Sequence, residues 1–258
     1  MANTGRITAL VSELTSAPQQ PGSTRPRRGD EMPLKKSKGN MYPWVTHTHT
    51  HLGGECPHRC SYCYVNDPRF GRPARYQGPL RLIEDEFKVK YGTGKTIFIE
   101  NCNDLFAEEV PHNFIMEILD HCWNYPDNTY VFQTKNPARY GKYWDELIVM
   151  NVILGATIET NRDMRGISLA PKPINRVLPL IFLPAKKFIT IEPILDFDVD
   201  ILSKWIAGTS PDFVNIGADS KGHGLPEPPM WKVEALIKSL KESGIEIREK
   251  HNLERLMR

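Results

Sequence analysis

The chain has 258 residues, 40% of them hydrophobic and 25% charged, and a formal charge of +2. This is the makeup of an ordinary soluble protein with one sizeable domain, and the net charge alone implies no particular partner. No apolar run reaches transmembrane length and the first residues lack a signal-peptide core, so a cytoplasmic protein with reduced thiols and no membrane partner is expected.

The first 40 residues set Arg25, Arg27, Arg28, Lys35, Lys36 and Lys38 among Pro18, Pro21, Pro26 and Pro33. Such a segment cannot bury a core, which predicts a disordered basic arm over 1–40 followed by one folded domain over 41–258. Weak attraction of the arm to nucleic acid is the sharper consequence of its charge.

From Tyr42 onward, short β-branched or aromatic runs alternate with longer amphipathic ones, the pattern of repeated βα units around a parallel sheet. Strands are predicted over Trp44–Leu52, Lys95–Asn101, Thr129–Thr134, Val152–Glu159, Lys187–Glu192 and Phe213–Gly217, with Ile245–Arg248 as a candidate seventh. Helices are predicted over Leu80–Lys90, Asn113–Trp123, Ala138–Met150, Ile174–Phe182, Val199–Ala207 and Met230–Ser243. Gly208 and Gly244 are placed to terminate the last two. Six such units are too few for a closed eight-stranded barrel of ~250 residues, so the expected fold is α/β, an open, partial (β/α)6 TIM-like barrel. In barrels of this kind, reactive groups sit on loops at the carboxyl ends of the strands.

The first strand contains Thr46-His47-Thr48-His49-Thr50-His51, where a doubly covered parallel strand would be apolar. Period two puts the three imidazoles on one face. If that face lines the barrel, His51, nearest the following loop, is a candidate acid, base or hydrogen-bonding group; a hydrogen-bonded polar strand without a chemical role is the other outcome. Next come Gly53 and Gly54, and then Cys56-Pro57-His58-Arg59-Cys60-Ser61-Tyr62-Cys63, three thiols spaced C-x3-C-x2-C. Four thiolates saturate a 4Fe-4S cluster, and three leave one iron open. Zinc in a Cys3His site, completed by His58, His47, His49 or His51, is the other metal chemistry these residues allow. Structural zinc ligands usually come as two separated pairs, and Cys102 and Cys122 are isolated. Gly92-Thr93-Gly94-Lys95-Thr96 has the glycines of a phosphate loop, but the required first glycine falls on Val89, so a turn is expected. Lys135-Asn136-Pro137 reads as a helix start, with Asn136 capping and Pro137 at the first helical position.

The thiol run, with an aromatic residue before its last cysteine, resembles the cluster loop of the radical S-adenosylmethionine (SAM) superfamily. Further segments resemble a phage and prokaryotic family within it whose substrate is generally unassigned. They are Trp44-Val45-Thr46, Cys60-Ser61-Tyr62-Cys63-Tyr64, Asn103-Asp104-Leu105-Phe106, Gln133-Thr134-Lys135-Asn136-Pro137, Ile191-Glu192-Pro193-Ile194-Leu195 and Lys250, spanning about Tyr42 to Asn252. A more distant likeness is to the DNA lyases that repair spore photoproduct.

The resemblance implies a 4Fe-4S cluster held by Cys56, Cys60 and Cys63, SAM as cofactor, and an external electron donor of the flavodoxin or ferredoxin type. It places Tyr62 beside the adenosyl group. A superfamily Gly-Gly-Glu motif at the end of the second strand is replaced here by Glu100-Asn101-Cys102-Asn103-Asp104, leaving Asn101, Asn103 and Asp104 as candidates for the methionine amino group. Glu159 is expected at the ribose, Glu192 at the end of the fifth strand, and Gly217 close to adenine. Lys135 and Lys250 are expected inside the barrel. Without a second cysteine cluster, reactions that need an auxiliary cluster are disfavoured. The implied substrate is a nucleobase, nucleotide or nucleic acid that is modified, isomerised or cleaved at a lesion. The alternative is a non-catalytic iron-sulfur protein that senses redox state or binds nucleic acid. Cys102, at a strand end, is a candidate hydrogen-atom donor to a substrate radical, or else a small buried residue.

Overall fold

The structure, a computed structural model, describes residues 33–39, 41–71 and 73–257. Its strands are β1 (Lys35–Lys36), β2 (His47–His49), β3 (Leu52–Gly53), β4 (Arg81–Leu82), β5 (Thr96–Ile99), β6 (Thr129–Thr134), β7 (Val152–Thr157), β8 (Lys187–Ile191), β9 (Phe213–Ile216) and β10 (Glu246–Glu249). Its α-helices are α1 (His112–Trp123), α2 (Trp144–Ile148), α3 (Pro173–Ile181), α4 (Val199–Gly208) and α5 (Met230–Glu242). One eight-stranded sheet has the order β1-β2-β5-β6-β7-β8-β9-β10. All neighbours from β2 to β10 are parallel, and β1 is antiparallel to β2. Because β1 and β10 stand at opposite ends of that order, the barrel is open, as the count of βα units requires. The candidate seventh strand is present as β10, paired with β9.

Alternation along each strand separates two apolar layers. One face of the strands, carrying Ile97, Ile99, Tyr130, Phe132, Leu154, Ile189, Ile191, Val214 and Ile216, packs with buried helix residues such as Ile115, Ile118, Leu202 and Leu236. The other face forms a smaller cluster of Phe98, Val131, Ile153, Phe188 and Phe213, joined by Tyr42 and Val45 from the segment before β2. Further along these inner faces the side chains become polar. The Tyr42 hydroxyl donates to Gln133 Oε1 at 2.7 Å and lies 2.7 Å from Thr190 Oγ1, while Gln133 Nε2 donates to Thr157 Oγ1 at 2.8 Å. An apolar base and a polar upper layer thus orient the interior toward the carboxyl ends of the strands.

Several local expectations differ from the structure. The helix expected over Leu80–Lys90 is absent: Arg81–Leu82 pairs as β4 with β3, and Glu84–Lys88 forms a 3-10 segment. Pairing with the strand that leads to the thiols, and the bond from Ile83 N to His51 O at 2.9 Å, outweigh local helix preference here. The helix expected over Ala138–Met150 divides into a 3-10 segment, Pro137–Tyr143, and α2. Three residues per turn align Pro137, Tyr140 and Tyr143, all buried, on one face. Asn136 supplies no side-chain cap; its amide donates to Glu108 Oε2 at 3.3 Å. Of the expected arm, residues 1–32 and 40 lie outside the described residues, whereas Lys35–Lys36 pairs with Thr48 and His47.

Gly54 turns the chain out of β3 with φ +91°, and a Cβ there would collide with the carbonyl oxygen of Pro79. The close approach that needs glycine is therefore made by backbone on the facing segment. Gly54→Ala should destabilise the protein by more than the about 1–2 kcal/mol of the left-handed backbone alone. A thermal unfolding midpoint equal to the wild type would refute this.

Candidate active site

Tight turns shape the thiol segment: Arg59 N bonds Cys56 O at 3.2 Å, Cys63 N bonds Cys60 O at 3.0 Å, and Arg59 adopts φ +43°. Neighbouring strand ends fix it in place. From the segment after β5, Asp104 Oδ2 meets His58 Nε2 at 2.8 Å and Asn103 Nδ2 donates to Gly54 O at 3.2 Å. From the segment after β7, Ile167 O accepts from Ser61 N at 2.8 Å, Leu169 N donates to His58 O at 2.8 Å, and Ser168 Oγ lies 3.1 Å from Cys60 Sγ.

All three thiols are free. Burial pushes the Cys56 thiol up strongly, reinforced by the negative charge of Asp104 and of the other two cysteines. Burial likewise raises Cys63, with Lys135 acting in the opposite sense. Cys56 and Cys63 thus stand in the field of neighbouring thiols, and a bound cationic group is what would favour their thiolates. Among the described residues, no three His, Cys, Asp or Glu side chains converge where one metal ion could sit. A four-iron cluster makes a different demand, because each thiolate takes a separate iron. Of the histidines weighed for zinc, His58 spends Nε2 on Asp104, His47 Nδ1 lies 2.8 Å from Thr46 Oγ1, and His49 and His51 pack against aromatic rings.

Beside the thiols lies a buried charge group. Glu159, fully buried after β7, accepts from the Tyr62 hydroxyl, from Lys135 Nζ and, at 2.7 Å, from Arg176 Nη1 of α3. Lys135 Nζ also stands 5.3 Å from the centre of the Tyr62 ring. Burial favours the neutral carboxyl of Glu159, but the Lys135 and Arg176 charges outweigh it and hold the group down at about 2. With its oxygens committed to these three donors, Glu159 orients Tyr62 and Lys135. Asp104 is similarly occupied, by His58, by Lys135 N at 2.8 Å and by Phe106 N at 3.0 Å. Asn103 Oδ1 accepts from Asp104 N at 2.9 Å.

Asn101 and Cys102 form a second group with Tyr64. The Tyr64 hydroxyl donates to Asn101 O at 2.7 Å and lies 3.4 Å from Cys102 Sγ, and Asn101 Oδ1 accepts from Thr50 Oγ1 at 3.0 Å. A third group comes from β8 to β10: Lys250 Nζ donates to Glu192 Oε2 at 2.6 Å, and Asn252 Nδ2 donates to Glu192 Oε1 at 2.8 Å and Ala218 O at 2.7 Å. Glu192 precedes a cis proline, Pro193. A Cβ on Gly217 would come within 2.8 Å of Glu192 Oε1 and 2.9 Å of Asn252 Oδ1, so the glycine makes room for this protein pair. Lys250 Nζ lies 5.3 Å from the Tyr42 ring centre, which links this group to the polar inner layer.

His51 belongs to none of these groups. Its Nδ1 meets Glu100 Oε1 at 2.9 Å and its Nε2 meets the Tyr91 hydroxyl at 2.9 Å, while its ring packs on His49, Phe87 and His121 of α1. The imidazole face of the first strand thus turns toward the helices, and Thr48, in register with Phe98, shares the inward face. Burial pulls His51 down to about 3, favouring the neutral imidazole. Glu100, with φ +61°, also accepts from His51 N at 2.6 Å and Leu52 N at 3.1 Å; burial pushes its carboxyl up to about 8. It ties the end of β5 to the strand entering the thiol loop.

Sequence reasoning missed Arg176, Tyr64, Ser168, Asn252 and Tyr42. Asn252 follows Lys250 by two residues, and Tyr64 directly follows the last thiol, so adjacency could have flagged both. Arg176 and Ser168 carry no such signal, because only tertiary contacts bring them here.

A family model described as "Protein of unknown function (DUF5131)" matches residues 44–246. Among curated proteins, none matches significantly. Solved structures of spore photoproduct lyase share the fold. A doubly substituted variant with bound AdoMet and dinucleoside spore photoproduct has a TM-score of 0.59 at 10% identity, covering 86% of this chain and 79% of that one. The lyase complexed with dinucleoside spore photoproduct has a TM-score of 0.57 at 10% identity over the same shares. A cysteine-to-serine variant has a TM-score of 0.56 at 9% identity, covering 84% of this chain and 80% of that one. At such identities the likeness is one of fold.

Proposed function

We propose that this chain, which belongs to the DUF5131 family of proteins of unknown function, is a radical SAM enzyme acting on a nucleobase, nucleotide or nucleic acid. The observation that carries this reading is the free C-x3-C-x2-C thiol loop, rooted at the carboxyl end of the first barrel strand and tied to the ends of the next strands. When bound, a 4Fe-4S cluster supplies the electron that splits SAM into methionine and a 5'-deoxyadenosyl radical.

Cys56, Cys60 and Cys63 are the thiolate ligands in this reading. Lys135, braced by Glu159, offers a positive charge beside them, and the Tyr62 hydroxyl donates to the same carboxylate. Of the residues considered for the methionine amino group, Asp104 and Asn103 hold the thiol loop, and Asn101, whose Oδ1 accepts from Thr50 Oγ1, takes the role in this reading. Glu192, Lys250 and Asn252, across the barrel from β8 to β10, offer polar groups to a substrate. Nucleic-acid chemistry is supported by the shared fold of lyase structures that hold dinucleoside spore photoproduct and by the basic composition of residues 1–40.

Anaerobically reconstituted protein, reduced with dithionite in the presence of SAM, should release 5'-deoxyadenosine. Intact SAM in protein loaded with about four irons would refute the enzyme and favour an iron-sulfur sensor. A colourless protein carrying one zinc would refute the cluster.

Cys102 is the hydrogen-atom donor to the substrate radical in this scheme. It is half-buried and in contact with the Tyr64 hydroxyl, unlike Cys122, which is buried in α1. Cys102→Ala should keep iron content and 5'-deoxyadenosine release while diverting substrate to abnormal products. An unchanged product distribution would remove this role.

A further inference from the structure

We propose that the surface centred on Leu169 is the docking site for an acidic one-electron donor protein of the flavodoxin type. The proposal rests on the radical SAM reading, which creates the need for one electron per cleavage.

Electron transfer weakens steeply with distance, so a donor must dock over the protein shell that covers the thiols. That shell is thin at Cys60. The residue is buried, but its Sγ lies 3.1 Å from Ser168 Oγ, and the next residue, Leu169, is 69% exposed. Leu169 is held in place by its backbone bond to His58 O at 2.8 Å. A large apolar side chain thus stands in solvent one residue from a contact with a ligand thiol.

Cations stand on the segments that meet at this point. Arg59 lies within the thiol loop between His58 and Cys60, Arg165 precedes the backbone bond of Ile167 to Ser61, and Lys172 follows Leu169 at the start of α3. Their heads are in solvent: the Arg59 and Arg165 side chains are 61% and 84% exposed, and Lys172 is exposed. The nearby acids, Glu55 at 3.0 Å from Arg59 and Asp163 at 2.9 Å from Arg165, are themselves 41% and 45% exposed. Ion pairs so open to water are weak, and their cations exchange readily onto a partner's carboxylates.

An apolar centre with a charged rim is the anatomy of a small, transient redox interface. A nucleic-acid track would instead need several cations free of adjacent acids, whereas two of these three have one. In the transfer, one electron leaves the donor's flavin hydroquinone, which becomes the semiquinone. The same electron is consumed when the C5'–S bond of SAM breaks, releasing methionine as the thioether and leaving the unpaired electron on C5' of the 5'-deoxyadenosyl radical.

The test compares two reductants on the full-length, cluster-loaded protein with SAM: dithionite, and an acidic bacterial flavodoxin kept reduced by NADPH and its reductase. Two variants are used, the double charge reversal Arg165→Glu, Lys172→Glu, and the single change Leu169→Asp. Each should lower flavodoxin-driven 5'-deoxyadenosine release by about tenfold or more, with dithionite-driven release and iron content unchanged. The wild-type flavodoxin-driven rate should fall with added salt, and that of the double variant should fall less. Calorimetric titration with oxidised flavodoxin should show weaker binding by both variants. Unchanged flavodoxin-driven rates and affinities would overturn the docking site. So would a wild type that responds to dithionite and not to flavodoxin, or equal losses under both reductants, as a nucleic-acid or structural role would give. A wild type that is fully loaded yet cleaves no SAM with dithionite would refute the radical SAM reading itself, and the titration would still decide whether the surface binds the donor.

Discussion

Replacing Cys56, Cys60 or Cys63 by Ala should each abolish both stable iron loading and SAM cleavage. In the proposed reading each thiol would supply one iron with its protein ligand, with no spare thiol to substitute. Cys122 is sealed in α1, and Cys102 is engaged with Tyr64 and Asn101. The three sites should differ in how the loop responds. Cys60 touches Ser168, so its removal also loosens the contact that closes the segment after β7 over the loop. Iron analysis, visible absorbance and 5'-deoxyadenosine release measure the outcome. Full cleavage by any one of the three variants would remove the central assignment.

Glu159→Gln should be the most destabilising change among the polar residues of the site. The wild-type carboxylate neutralises Lys135 and Arg176, and Arg176 is itself fully buried. Removing the negative partner leaves buried positive charge uncompensated, a loss of about 3–5 kcal/mol and roughly 10 °C in melting temperature for a chain of this size. The pH dependence provides a second signature. The Glu159 carboxyl sits at about 2 in the folded protein against an ordinary value of 4.5. Its contribution is therefore complete above about pH 5 and is lost as pH falls toward 2, amounting to about 3 kcal/mol. The variant, lacking the group, should show a flatter decline of stability on the acid side. An equally steep acid decline in wild type and variant would refute this account.

Much of the architecture was legible because it depends on short-range pattern. The expected β6 matches its observed limits, and β7, β8 and β9 differ from expectation by two residues or fewer at their carboxyl ends. These are strands buried on both faces, whose apolar β-branched and aromatic runs have no competing partner. The segment from Leu80 to Lys90 was misread for the opposite reason. Its helical periodicity is local, whereas its strand pairing with Leu52 and Gly53 comes from outside the segment. Lys135, Glu159 and Tyr62 were each singled out in the sequence, but their union, and Arg176 as the fourth member, arises only when the loops after β3, β6 and β7 meet α3.

The sequence by itself determined the spacing of the thiols and the repeating βα order, because both follow from covalent separation and from the periods of strand and helix. Only the tertiary structure decided which way equivalent faces turn and which polar groups are already satisfied. Period two places His49 and His51 together but does not say whether they meet the chamber or α1; packing against Tyr91 and His121 decided for the helix side. Likewise, Gly217 permits a close approach whatever the visitor, and the fold brings Glu192 and Asn252 there from distant strand ends. Burial and hydrogen-bond saturation are properties of assembled elements, and no single stretch of chain contains them.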